Sequence, residues 1–246
     1  MKKGAVLLKT KNILILVTAW TVGLLIGLVV ALLRLLGRVK VLGLDVRRLK
    51  RLMRDTGKGV IFVSNHPSMA ETFVIPGLFF PYYLLSPKLM PVSTPDIRFY
   101  DAWWFSMIRP TCLPVVRTSA VSGGKFIISM ISVLKEGRMA ILFAEGGRTY
   151  KGMEFRTSGK KRIRRFKEGI DKILERAAPI VVPVWTEGGE GVIPNVDYND
   201  GKGKLPFPRF WRRMSLRFGE PTSFTKEDFP DPVRDLESLV LGLSSR

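Results

Sequence analysis

Residues 13–33 form an uninterrupted apolar run, and this run excludes more folds than any other feature of the chain. Residues 12–33 carry no charge, and within the run only Thr18 and Thr21 are polar. As a helix, these 21 residues would extend about 31 Å, close to the roughly 30 Å hydrocarbon core of a bilayer. The run is longer than the apolar core of a signal peptide, and no small-residue cleavage site is evident. We therefore predict a retained membrane helix.

Basic residues flank the apolar run on both sides, and the downstream flank is richer in them. The downstream residues are Arg34, Arg38, Lys40, Arg47 and Arg48. This asymmetry favours a domain on the cytoplasmic face of the inner (cytoplasmic) membrane. Three alternatives to a spanning helix remain open: a helix in one leaflet, a helix kinked at Gly23 or Gly27 that re-enters the same side, and a buried core helix. We predict a membrane-anchoring segment over 1–36 and a globular domain over 37–246.

The composition limits both the partners and the chemistry of the chain. Lys and Arg number 40 against 21 Asp and Glu, a formal net charge of +19 that predicts an anionic partner. A hydrophobic content of 46% is enough for a real core and excludes disorder. The single cysteine, Cys112, excludes a disulfide scaffold and a cysteine-based zinc cluster. The single histidine, His66, excludes a multi-histidine metal site, so we predict no metal.

Short β-branched and aromatic runs alternate with longer stretches of helical spacing in the rest of the chain. The predicted strands are 60–63, 113–116, 139–143, 180–185 and 214–218. The predicted helices are 44–54, 68–79, 121–136, 162–178 and 225–241. This alternation predicts an α/β domain with a single mixed, largely parallel sheet flanked by helices. A region rich in Gly, Pro and Asp, 188–208, is predicted to be a long loop.

His66 lies three residues beyond the predicted strand 60–63, at the end of the sheet where α/β proteins bind ligands. Pro67 disfavours helical geometry at His66, which places the histidine in a turn. Ser68 and Glu71 form an S-x-x-E helix-opening pattern that brings the Glu71 carboxylate back to this turn. A carboxylate on one imidazole nitrogen raises the basicity of the other, as in a general base. The alternative is a capping glutamate beside an ordinary turn histidine.

A second segment of interest follows the predicted strand 139–143. Gly146 and Gly147 permit close backbone approach to a ligand, and their N–H groups can bind an anion. Arg148 adds a planar guanidinium suited to phosphate. The alternative is an ordinary turn with a surface arginine. The same alternative is favoured for Arg117, which ends the predicted strand 113–116.

A dense cationic segment follows shortly after Arg148. Its members are Arg156, Lys160, Lys161, Arg162, Arg164, Arg165 and Lys167. Near an anionic membrane each cation contributes on the order of 1 kcal/mol of attraction. The alternative is a solvated helix face. A nucleic-acid binder would be equally basic, but the sequence has no recognisable readout element, so no nucleic-acid partner is expected.

These segments resemble, in order and spacing, the motifs of the glycerolipid (lysophospholipid) acyltransferase family from about residue 58 to 186. The matching blocks are Asn65-His66 with Glu71, the strand ending in Arg117, Phe143 to Thr149, and Val181-Val182-Pro183-Val184. Glu71 stands where the family usually has aspartate, and Ala144 where it usually has proline. The glutamate variant is seen in lipid A late acyltransferases.

The resemblance implies transfer of a fatty acyl group from an acyl carrier protein or coenzyme A thioester to the hydroxyl of 1-acylglycerol-3-phosphate. The product would be phosphatidic acid. His66 would be the general base and Glu71 its orienting partner. The residues implied in holding the acceptor are Arg117, Glu145, Gly146, Gly147 and Arg148. No cofactor beyond the thioester co-substrate is implied, and the expected partners are lysophosphatidic acid or a related lysolipid and an anionic membrane.

Two other functions remain open. One is acyl transfer to another lysophospholipid or to a lipid A-like glycolipid. The more distant one is a non-catalytic basic protein that binds a membrane surface.

Overall fold

The structure is a computed structural model that describes residues 13–101, 103–116, 120–195 and 206–245. Its helices are α1 (Ile13–Leu35), α2 (Val46–Thr56), α3 (Ala70–Gly77), α4 (Tyr82–Leu85), α5 (Ile97–Tyr100), α6 (Ala120–Lys135), α7 (Gly169–Ala177), α8 (Gly189–Val192) and α9 (Pro232–Gly242). Its strands are β1 (Val39–Leu42), β2 (Val60–Ser64), β3 (Met139–Phe143), β4 (Phe155–Ser158), β5 (Lys161–Arg164), β6 (Ile180–Glu187), β7 (Met214–Phe218) and β8 (Thr222–Ser223).

The main sheet has the strand order β1-β7-β6-β2-β3, with β8 paired to β6. Strands β6, β2 and β3 are parallel, β1 is parallel to β7, and β7 runs antiparallel to β6. The register places Ser64 beside both Phe143 and Val184, so β2 and β3 end together and β6 continues to Glu187. We call this edge the carboxyl end of the sheet. The predicted mixed, largely parallel sheet is confirmed.

The core lies on both faces of this sheet because the side chains of β2 alternate between them. Phe62 packs with the cluster that includes residues of α1, α2 and α3, whereas Ile61 packs with residues of α6, α7 and α9. All residues of β2 and β3 are buried, which explains their unbroken apolar sequence.

Helix α1 packs against the globular domain along one face. Small residues permit close approach here: a Cβ on Gly27 would lie 2.6 Å from the Phe80 ring, and one on Gly77 2.7 Å from Val30. The Tyr83 hydroxyl donates to the Gly23 carbonyl over 2.6 Å. The opposite face exposes large apolar side chains, namely Leu14, Val17, Trp20, Leu25, Leu28 and Leu32. In the described part of the chain, α1 alone is long and apolar enough to cross a bilayer.

The predicted helix 162–178 is wrong in its first part. Residues Lys161–Arg164 form β5, which pairs antiparallel with β4 in a separate two-stranded sheet, and α7 begins only at Gly169. The turn between the strands contains Gly159 at φ 57°, a left-handed conformation that favours glycine. Ile163 is fully buried while its neighbours are more exposed, which is the alternation of a strand.

Two further predictions needed correction. Residues 113–116 do not form a regular strand. The pairings in this region are isolated bridges, one between Cys112 and Ser93 and one between Val115 and Asp96. The last helix begins at Pro232 instead of residue 225. The Asp231 side chain caps this helix by accepting a hydrogen bond from the backbone N–H of Arg234. The predicted loop 188–208 contains the short helix α8, and its residues 196–205 lie outside the described ranges.

Candidate active site

The turn after β2 is anchored by Asn65. Its side chain exchanges two hydrogen bonds with the backbone of Thr186 on β6: Nδ2 donates to the Thr186 carbonyl over 2.8 Å, and Oδ1 accepts from its N–H over 2.7 Å. The next residue, His66, turns its ring onto Phe143, with ring centroids 4.2 Å apart. The imidazole is thereby placed at the carboxyl end of the sheet.

The Glu71 carboxylate contacts three polar groups of the turn, which belong to His66 and Ser68. Its Oε1 lies 2.8 Å from His66 Nδ1 and accepts from the Ser68 N–H, also over 2.8 Å. Its Oε2 accepts from the Ser68 hydroxyl over 2.8 Å. Glu71 is fully buried, whereas the His66 side chain is 15% exposed. One carboxylate therefore binds the Ser68 N–H just before α3 and also lies against the imidazole.

Gly189, a residue that sequence reasoning missed, lies against this carboxylate. A Cβ there would come 2.6 Å from Ser68 Oγ and 3.0 Å from Glu71 Oε2. The backbone of α8 thus covers the buried side of the His66–Glu71 pair.

Glu145 connects the turns that follow β2 and β3. Because Ser64 and Phe143 are in register, the residues two positions beyond them, His66 and Glu145, emerge side by side. Glu145 Oε1 accepts from the His66 N–H over 3.1 Å and from the Thr149 hydroxyl over 2.9 Å. Burial raises the pKa of Glu145 to about 7, although these hydrogen bonds oppose the shift. The carboxyl group is fully buried and does not line the adjacent cavity.

A cavity of about 490 Å³ opens beside His66. The apolar part of its wall includes Met69, Phe73, Phe126, Ile127, Ile170 and Ile173. Its cationic part consists of Arg98, Arg148, Lys151, Arg164 and Lys167. Gly146 and Gly147 also line the cavity. Gly146 has a φ of 65°, a left-handed backbone conformation that would be strained in a residue with a side chain. Such a cavity suits an amphiphile with an apolar chain and an anionic group.

Asn195, a second residue that sequence reasoning missed, ties Arg148 to the histidine turn. Its Oδ1 accepts from Arg148 Nη1 over 3.2 Å, and its Nδ2 donates to the Pro67 carbonyl over 2.8 Å. The Arg148 guanidinium also lies 5.4 Å from the centre of the Tyr150 ring. The pattern of Gly, Pro and Asp over 188–208 predicted a loop but no particular residue of the site.

The structure brings most of the predicted site residues together at the carboxyl end of the sheet. These are His66, Glu71, Glu145, Gly146, Gly147 and Arg148. Arg117 lies outside the described residues. The predicted cationic segment divides: Arg164 and Lys167 line the cavity, while Arg156 pairs with Glu237 over 2.9 Å and Lys161 pairs with Glu187.

Two comparisons with known proteins agree with this architecture. Residues 38–187, more than half of the chain, match the family model described as Acyltransferase. The fold is similar to that of the 1-acyl-sn-glycerophosphate (LPA) acyltransferase PlsC from Thermotoga maritima, with a TM-score of 0.53 and 19% sequence identity. This likeness covers 85% of the present chain and 72% of the other. Since the family model covers more than half of the chain, including the turns that carry His66, Glu71 and Glu145, the chain belongs to the acyltransferase family.

Proposed function

We propose that this acyltransferase transfers a fatty acyl group from an acyl carrier protein or coenzyme A thioester to 1-acylglycerol-3-phosphate. The observation that carries the proposal is the 2.8 Å pairing of His66 Nδ1 with the buried Glu71, beside a cavity with apolar and cationic walls. The apolar wall suits an acyl chain, and the cations suit a phosphate. The product is phosphatidic acid.

His66 acts as the general base in this proposal. With Nδ1 held by Glu71, Nε2 takes the proton of the acceptor hydroxyl as its oxygen attacks the thioester carbonyl carbon. The carbon–sulfur bond then breaks, an oxygen ester remains, and the thiolate leaves with the proton from His66. Glu71 stabilises the transient imidazolium through its charge.

No acyl-enzyme intermediate is needed, because the chain offers no activated thiol. Cys112 is buried, and this burial raises the pKa of its thiol to about 12. Such a thiol stays protonated and is a poor nucleophile at neutral pH.

We place the acceptor phosphate at Arg148 and at the backbone of Gly146 and Gly147, with Arg117 as a further contact. Arg148 lines the cavity and is oriented by Asn195, which supports this placement. A guanidinium and a glycine turn both suit phosphate oxygens. Glu145 acts here as a brace between the two turns and does not contact substrate, since its carboxyl group is enclosed.

We further propose that residues 1–36 anchor the domain, 37–246, to the cytoplasmic face of the inner membrane. Contacts from Thr18 to Val30 hold α1 against the domain, because Thr18 donates to the Met107 carbonyl and Val30 meets Gly77. A helix packed beside its own domain along this length favours an orientation within one leaflet over an isolated span.

The test is acyl transfer by the purified full-length chain in mixed micelles, measured as thiol release and as phosphatidic acid formed. His66→Ala is expected to lower the acceptor-dependent rate by about 10²–10⁴. Cys112→Ser, the control, is expected to retain it. An unchanged rate in His66→Ala would overturn the mechanism. Preferential acylation of another lysophospholipid or a glycolipid would replace the acceptor, and no acylation of any lysolipid would indicate a non-catalytic membrane-surface protein.

A further inference from the structure

Residues 206–213 expose aromatic rings and guanidinium groups together, and we call them the aromatic–arginine segment. Phe207, Phe210 and Trp211 are 79%, 42% and 60% exposed. The arginines of the segment, Arg209, Arg212 and Arg213, are exposed as well, and the segment contains no acidic residue. Bulky aromatic residues next to cations are typical of protein surfaces at the headgroup level of a bilayer.

Hydrogen bonds within this segment and to the rest of the domain hold it in place. The Arg209 N–H donates to the Val192 carbonyl over 2.8 Å, and the Arg212 N–H donates to the Arg209 carbonyl over 2.9 Å. The rings of Phe207 and Phe210 pack edge to face, with centroids 6.5 Å apart. The exposed rings therefore form part of an ordered turn.

The segment adjoins the end of α1. Strand β7 follows it directly, and the Met214 N–H donates to the Arg38 carbonyl over 2.9 Å. The Arg38 N–H in turn donates to Leu33 in the last turn of α1 over 2.8 Å. Leu35 and Leu36, which end this helix, are exposed. The end of α1, with its exposed leucines, therefore lies near the aromatic–arginine segment.

The segment also lies close to the candidate active site. Val192, which accepts from Arg209, is three residues before Asn195, and Asn195 bonds both Arg148 and the Pro67 carbonyl. The same end of the sheet thus carries the histidine turn, the end of α1 and the exposed aromatic rings.

We propose that the aromatic–arginine segment is a second membrane contact, seated in the headgroup layer of a bilayer that contains anionic phospholipids. The inference rests on the membrane attachment by α1 proposed above. The arginines bind lipid phosphates and the rings enter the interface. An acidic carrier protein would also match the arginines, but the position of the segment near the end of α1, whose leucines are exposed, favours the bilayer.

The test uses the full-length chain in vesicles with and without anionic lipid, in a Cys112→Ser background. A fluorophore is attached at Trp211→Cys, at Leu28→Cys on the exposed face of α1, and at the matched control Ser238→Cys on α9. Quenching by nitroxides carried on lipid headgroups is expected to be several-fold stronger at position 211 than at position 238, and stronger in anionic than in zwitterionic vesicles.

The outcomes distinguish three proposals: the anchor, the second membrane contact and the acyltransferase activity. Quenching at position 28 but not at position 211 would overturn the second contact and leave the proposed anchor intact. Quenching at neither position would overturn both the anchor and the second contact. Protection of position 211 only after addition of acyl carrier protein would make the segment a protein-docking surface and overturn the inference. Quenching at 211 in a chain without acyltransferase activity would support the contact and overturn the proposed function.

Discussion

At Gly189 the backbone of α8 lies so close to the Glu71 carboxylate that one methyl group has no room. Its Cβ would lie 2.6 Å from Ser68 Oγ, so Gly189→Ala must displace the serine or the carboxylate. We expect the acyl-transfer rate to fall by about 10²-fold, the effect of a 1 Å misplacement in an active site. The measurement is the steady-state rate with saturating lysolipid.

Gly191→Ala is the matched control, because it lies on the same short helix and its Cβ would meet only the Arg212 side chain at 3.8 Å. Its activity should equal that of the wild type. Equal activity in both variants would show that the position of Glu71 does not limit the rate.

Asn195 should affect acceptor binding more than chemistry, since it holds Arg148 and not the imidazole. We expect Asn195→Ala to raise KM for 1-acylglycerol-3-phosphate about tenfold, the loss of a hydrogen bond to a charged group. The change in kcat should be smaller.

The double variant Asn195→Ala/Arg148→Ala gives the control for this prediction. If Asn195 acts through Arg148, the two effects will not add. Additive effects of the two substitutions on KM would show that Asn195 does not act through Arg148.

Glu145 is expected to make folding stability depend on pH. Its pKa rises from 4.5 to about 7 on folding, so the folded state holds the proton more tightly than the unfolded state. Stability from this group is therefore complete below pH 4.5 and falls as pH rises to about 7, by on the order of 3 kcal/mol. Glu145→Gln keeps an oxygen acceptor and should flatten this decline. Thermal unfolding midpoints in detergent across this pH range would show it, and parallel profiles would contradict it.

The sequence was sufficient to locate His66 and Glu71 because their pairing is local, five residues apart. Gly189 and Asn195 could not be found in this way. Asn195 meets Pro67 across 128 residues of sequence, and a glycine carries no chemical signal of what it lies against.

Among the elements, α1 shows most clearly how small residues determine packing. We expect Gly27→Val to force the helix away from Phe80, because its Cβ would lie 2.6 Å from that ring. Overpacking of this kind costs about 1–3 kcal/mol. The thermal unfolding midpoint should fall, whereas Leu28→Val on the exposed face of α1 should leave it nearly unchanged. Equal midpoints would indicate that α1 is not part of the folded core.

Strands β2, β3, β6 and β7 of the main sheet were predicted, since β2 and β3, for example, are largely apolar runs of the length that buried strands require. The short edge strands β1 and β8 were not predicted. Strand β5 of the β4–β5 hairpin was mistaken for the start of a helix, and β4 was not predicted. Its sequence is dominated by cations, and only Ile163 is fully buried there, so too few apolar positions distinguish a period of 2 from one of 3.6.

For the molecule as a whole, the net charge of +19 predicts a response to salt. Between about 0.1 M and about 1 M salt, the Debye length falls from about 10 Å to about 3 Å. We expect acyl transfer on anionic vesicles to fall several-fold over this range, and transfer in uncharged detergent micelles to change less. Parallel declines would assign the effect to substrate charge in the cavity instead of to the membrane surface.

The end of α1 and the histidine turn lie at the same end of the sheet, which bears on the route of the proposed lipid substrate. Drawing an acyl tail fully into water would cost roughly 0.8 kcal/mol for each methylene. If α1 anchors the chain as proposed, the anchor and the cavity share one side, and a lipid substrate can enter by lateral movement with its tail still in hydrocarbon. Turnover then depends on diffusion in two dimensions, and the product returns to the leaflet that supplied the acceptor.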